Sequence, residues 1–128
     1  MSTADDMFYL PRVAPKETMN IEQVGETIRA AIRKARAEGI EIRSSTLGSR
    51  RQGHCCMLGA LVLDSQSSEE ERYTEATGAL GLFENDWSAL ALGFDTPAGV
   101  AYQDSESRFD RLWELAQTIR AEVDRGEL

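Results

Sequence analysis

His54, Cys55 and Cys56 stand consecutively and are the only histidine and the only cysteines in the chain. A thiolate in the first turn of a helix is stabilised by free backbone N–H groups, and an imidazole nearby can accept its proton. The arrangement therefore invites a nucleophilic or redox role, with Cys55 and Cys56 as thiols and His54 as base. Successive residues of a helix point ~100° apart, however, so neighbours in sequence are poorly placed to act on one atom. Cysteine is also among the residue types most often buried, and burial leaves it inert. The sequence reads the three as core, with catalysis an outside alternative. Adjacent Cα atoms lie ~3.8 Å apart, short of the ~4.4–6.8 Å that a disulfide spans, so both thiols are expected to be reduced. Three consecutive ligands cannot converge on a zinc ion that wants four from separated pairs. No metal and no cofactor is expected.

The polar stretch Ser44–Gly53 leads into this trio. A helix starting near Gly53 or His54 would turn free N–H groups toward Ser49, Arg50 and Arg51, a combination able to hold an anion. The glycine and lysine order of a phosphate-binding P-loop is absent. The competing reading is a solvated loop whose arginines pair with nearby acids.

Charge is the second chemical signal. The net charge is -8, and it is uneven: residues 1–63 carry 9 Lys/Arg against 7 Asp/Glu, residues 64–95 carry 1 against 8, and residues 96–128 carry 4 against 7. Such a field disfavours direct binding to nucleic acid or an anionic membrane and favours a basic partner surface. Glu69, Glu70, Glu71, Glu75, Glu84 and Asp86 form the candidate contact set for another protein. Carboxylate pairs such as Glu84 with Asp86 also satisfy glycosidase composition, yet their positions at helix starts are explained by capping. Trp87, Trp113, Phe83 and Phe94 read as core aromatics.

Helices must position these groups. Asn20 caps a helix with Gln23 at N3, and Ile21, Val24, Ile28, Ala31, Ile32 and Ala35 form its apolar stripe. Ile40 and Ile42 alternate with charged residues, as in a short strand or an extended connector. His54–Leu63 is apolar on nearly every side, which predicts a helix buried all round, with a buried strand as the runner-up. Gly59 and Ala60 there would admit a neighbouring helix. Ser67 or Ser68 caps a helix over Glu69–Leu80, and Asn85 or Asp86 caps a short one over Trp87–Leu92, ended by Gly93. Phe94–Pro97 then reads as a turn. A last helix, from about Ser105 to about Arg125, carries the stripe Phe109, Leu112, Trp113, Ala116, Ile119 and Val123.

The order Cys56-Met57-Leu58-Gly59-Ala60-Leu61, then Leu80-Gly81-Leu82, Trp87 and Gly93-Phe94-Asp95, resembles small helical bacterial and phage proteins of unknown function. In those, a Cys-x-x-Gly-Ala segment precedes a Trp-containing helix and a Gly-Phe-Asp turn. The resemblance implies a helical fold and no particular activity.

The expectation is a mainly α protein: an extended segment over 1–19, then a single domain over 20–128 with four to five helices around a central apolar helix and one or two short extended segments. The N-terminus lacks the charge and apolar core of a signal peptide, and no apolar run approaches the ~20 residues that span a bilayer, so a cytoplasmic location is expected. The functional expectation is a non-enzymatic, acidic, protein-binding protein, an inhibitor or regulator associated with phage or host defence. The alternative is a cysteine-dependent enzyme or small-molecule binder using the loop before the central helix. A homo-oligomer is compatible with the amphipathic last helix.

Overall fold

The structure is a computed structural model and describes residues 20–97 and 107–128. The expected extended segment over 1–19 lies outside the described residues, as do Asp104 to Glu106 ahead of the last helix. Helix α1 spans Ile21–Ala37. Asn20 caps it, its Oδ1 accepting the Gln23 N–H at 3.0 Å. Val24, Ile28, Ile32 and Ala35 of the predicted stripe are buried.

The chain then forms three strands of two residues each: β1 (Glu41–Ile42), β2 (Gly48–Ser49) and β3 (His54–Cys55). Their spatial order is β1-β3-β2, with β1 parallel and β2 antiparallel to β3. Four helices follow: α2 (Met57–Leu61), α3 (Glu69–Ala79), α4 (Trp87–Asp95) and α5 (Ser107–Asp124), with a 3-10 turn at Glu84–Asp86 leading into α4. The fold is mainly helical, as the periodicity predicts, and the sheet supplies the extended segments.

The central run departs from the single buried helix that its composition predicts. His54 and Cys55 are the middle strand, because lateral partners satisfy their backbone: Ser49 and Gly48 on one side, Glu41 and Ile42 on the other. Arg43 N–H donates to the Cys55 carbonyl at 2.8 Å, extending that pairing. Cys56 remains extended and only Met57–Leu61 turn into helix. Met57 and Leu58 are fully buried, each gaining ~1.5–3 kcal/mol over exposure. Ser44–Gly53 is a solvated loop only in part: it contains β2 and Leu47, which is 1% exposed, while Ser45 and residues 50–52 are exposed and Arg50 pairs with nearby acids as that reading expects.

Two glycines are small for reasons other than those their sequence positions suggest. At Gly59 a Cβ would stand 1.9 Å from the Leu47 carbonyl oxygen, so the close neighbour is the backbone just ahead of β2 and not another helix. Gly93 does not end α4; it lies within it, where a Cβ would come to 2.8 Å of the Trp113 carbonyl oxygen and of Ala116 Cβ. Phe94 and Asp95, read as a turn, are therefore helical. The missing side chain lets α5 lie close against α4. From α5, Gln117 Nε2 donates to the Gly93 and Thr96 carbonyls at 2.6 and 2.9 Å, and Arg120 Nη1 donates to the Phe94 carbonyl at 2.7 Å. These bonds satisfy carbonyls that a helix end leaves open. Leu112, Trp113, Ala116, Ile119 and Val123 are buried as their spacing predicts. Arg29 on α1 clasps Glu122 on α5 through two hydrogen bonds of 2.7 and 3.0 Å. No helix among the described residues is long and apolar enough to cross a membrane.

Candidate functional site

The residues that first suggest chemistry are built into the junction of β3 and α2. Cys55 is fully buried and Cys56 is 6% exposed. Burial pushes the Cys55 thiol up to about 12, helped by the neighbouring Cys56 and opposed by the Arg72 charge. Burial likewise raises Cys56 to about 11, although the N–H groups of Gly59 and Leu58 pull it down. The helix starts at Met57, later than the Gly53 or His54 start expected, and its first-turn N–H groups face the Cys56 sulfur. A thiol at 11 or 12 is protonated at neutral pH and is a poor nucleophile. His54 is half-buried in β3 and its Nδ1 is buried without a hydrogen-bond partner. Among the described residues no three His, Cys, Asp or Glu side chains come together as a metal would need.

Ser49, Arg50 and Arg51 lie at the end of β2 and in the turn after it. They do not face the start of a helix, because the segment that follows is β3. Arg50 is committed: Nε and Nη2 grip Asp64 at 2.7 and 3.3 Å, and Nη2 also meets Glu38 at 2.9 Å. These bonds raise the Arg50 pKa and lower that of Asp64. Ser49 Oγ accepts the Gln52 N–H at 3.2 Å and so shapes the turn. Arg51 is exposed and makes no ion pair among the described residues.

The six predicted acidic contacts have different surroundings. Glu69 and Glu70 are exposed in the first turn of α3. Glu71 and Glu75 are exposed but have structural partners. Glu71 closes a capping box with Ser68, each side chain bonding the other's backbone N–H at 3.2 Å. Glu75 accepts the Ser65 and Ser67 hydroxyls at 2.6 and 2.7 Å, and these two bonds hold its carboxyl below the usual range. Glu84 is exposed beyond the end of α3, within 3.5 Å of the Thr74 hydroxyl. Asp86 differs from the rest: its side chain is 11% exposed, pairs with Arg108 and accepts the Phe83 N–H at 2.8 Å. It fastens the 3-10 turn to α5 and is not part of an open acidic surface.

Phe83 overturns its reading as core. It is 47% exposed beside Glu84, with the Arg108 guanidinium 5.0 Å from its ring centre. Leu92 is the other large exposed apolar residue described. Trp113 and Phe94 are core, and Trp87 stacks on Tyr73 at 4.4 Å.

Sequence reasoning missed Arg72. It lies on α3, is only 8% exposed, and lines the wall of a cleft of about 380 Å³ that also contains Ser49, Arg50, Arg51 and Asp64. Its Nη2 donates to the Val62 carbonyl at 3.0 Å, while its Nε is buried with no partner. The available signal was that Arg72 is the only cation from residue 64 to residue 95. Helical spacing shows the rest: Arg72 lies four residues before Ala76, on the buried face that Ala76 and Leu80 define.

No family model matches the chain, and no curated protein or solved structure matches it.

Proposed function

We propose that the protein is a non-enzymatic binding protein whose acidic α3 face docks on a basic protein surface, in the manner of an inhibitor or regulator. The observation that carries this reading is the state of five carboxylates. Glu69, Glu70, Glu71, Glu75 and Glu84 are all exposed, and none forms an ion pair among the described residues. Several acids elsewhere meet arginines, Glu122 with Arg29, Asp64 with Arg50 and Asp86 with Arg108, while exposed Glu22 and Glu114, which also form no ion pair among the described residues, are not grouped as these five are. Leaving this face unneutralised favours a partner that supplies the cations, and opposed potentials speed encounter and fix orientation. The exposed Phe83 ring beside Glu84 offers the aromatic anchor that binding surfaces commonly use. The buried, protonated state of Cys55 and Cys56 weighs against a thiol enzyme.

The test uses the triple variant Glu69→Gln, Glu70→Gln, Glu84→Gln, which leaves the Glu71 cap and the Glu75–serine contacts in place. Wild type and variant are immobilised and exposed to a lysate of the cells that make the protein. A partner held by wild type, released by salt and lost with the variant is the expected result. Equal retention of the same partner by both would show that the acidic face is not the contact.

A further inference from the structure

The cleft between the β2 turn and the start of α3 has a charge balance opposite to that of the molecule. Three guanidinium groups line it, those of Arg50, Arg51 and Arg72, against the single carboxylate of Asp64. Arg50 is already shared between Asp64 and Glu38. Two cations are left without a carboxylate partner among the described residues, Arg51 at the rim and Arg72 in the wall.

Arg72 is the decisive one. A guanidinium nine-tenths removed from water carries a desolvation penalty that an ion pair normally offsets. Here its one hydrogen bond goes to the Val62 carbonyl, and Nε has no acceptor. The Glu75 carboxylate bonds the Ser65 and Ser67 hydroxyls and feels the Arg72 charge, but forms no direct ion pair with it. A buried arginine with no ion pair in the wall of an open cleft, and a second exposed one lining the same cleft, form a setting in which an anion would offset the desolvation of Arg72.

We propose that this cleft binds the phosphate group of a small phosphorylated molecule, held between Arg51 and Arg72. Guanidinium groups meet phosphate oxygens through paired, charge-assisted hydrogen bonds, the geometry for which arginine is preferred over lysine. The cleft volume of about 380 Å³ lies within the range of small-ligand sites. The net charge of -8 opposes a long polyanion, whose binding depends on summed attraction to many phosphates, far more than it opposes one group in a recess. The inference does not depend on the acidic-face reading, since its cations are different residues, although Ser65 and Ser67 of the cleft also bond Glu75.

Inorganic phosphate and pyrophosphate, titrated at ionic strength matched with sodium chloride, test it by thermal unfolding and calorimetry. The expected result is saturable binding, with a rise in melting temperature of roughly 5 °C at saturating pyrophosphate. Arg51→Ala removes an exposed side chain with no fold partner, and its affinity should fall about tenfold or more. Arg33→Ala, an exposed arginine on α1, should bind as wild type does. Arg72→Gln should abolish the rise; should that variant not fold, Arg51→Ala still decides. A rise no greater than that given by chloride, or an equal rise in Arg51→Ala, overturns the site. A phosphoserine peptide binding tenfold more tightly than pyrophosphate would overturn the small-molecule assignment.

Discussion

The junction of β3 with α2 and the outer face of α3 hold the two sets of residues that most suggest function, and their environments are opposite. At the junction, His54, Cys55 and Cys56 combine reactive residue types with enclosure, nearly complete for the two thiols and partial for the imidazole. On α3, ordinary helix-start glutamates combine modest chemistry with full exposure and no ion-pair partners. Residue type alone ranks the junction first. Burial reverses the order, because a thiol that stays protonated offers little to a substrate, whereas an unneutralised carboxylate at the surface is available to any cation.

The comparison predicts that substitutions at the junction cost stability and that substitutions on the acidic face cost binding. The largest effect is expected at Gly59→Ala. Its new methyl group would stand 1.9 Å from the Leu47 carbonyl, and forced overpacking against backbone costs about 3 kcal/mol or more. Urea unfolding measures it, and a loss under about 1 kcal/mol would mean that the Leu47 backbone moves aside easily. Next is Cys55→Ser, where a hydroxyl replaces the fully buried thiol; an unsatisfied buried hydroxyl costs ~1–3 kcal/mol. Ser68→Ala removes one half of the capping box and should cost about 1 kcal/mol. Neutralising Glu69 and Glu70 together should change stability by less than about 1 kcal/mol, as the helix dipole loses two favourable charges. If that pair proves more damaging than Cys55→Ser, the division of labour between the two regions is wrong.

Alkaline titration sharpens the same contrast. The folded-state values of Cys55 and Cys56, about 12 and about 11, exceed the ordinary 9.0. The unfolded chain therefore releases these protons first. The contribution is fully present below about 9 and is lost as pH rises toward 11 and 12. Urea midpoints should hold to pH 8 and fall by pH 10.5. The double variant Cys55→Ala, Cys56→Ala should show a flatter decline over that interval, and an identical decline would place its origin elsewhere. At pH 8, thiol-labelling reagents should modify wild type only as fast as it unfolds.

Much of the architecture was legible because helices advertise themselves. The stripes of α1 and α5, the caps at Asn20 and Ser68 and the burial of Trp113 all follow from spacing and side-chain chemistry. The central run was not legible as a helix–strand hybrid, because two-residue strands are created by lateral partners and leave no periodicity of their own. Gly93 misled for a related reason: as a glycine near the end of a short apolar stretch it reads as a stop, while its role depends on α5, a segment distant in sequence. The candidate site was half legible. Ser49, Arg50 and Arg51 stand together in sequence, but Arg72 joins them only through the fold, and that Asp86 is occupied by Arg108 is a fact of tertiary structure.

The three strands, each only two residues long, bear on how the protein behaves when concentrated. β1 and β2 are the two edges of the sheet. Long edge strands template pairing with other chains and thereby seed aggregation. An edge of two residues offers too short a ladder for a second molecule to extend. The same brevity that hides the sheet from sequence thus leaves its two edges, among the described residues, poor templates for fibre growth.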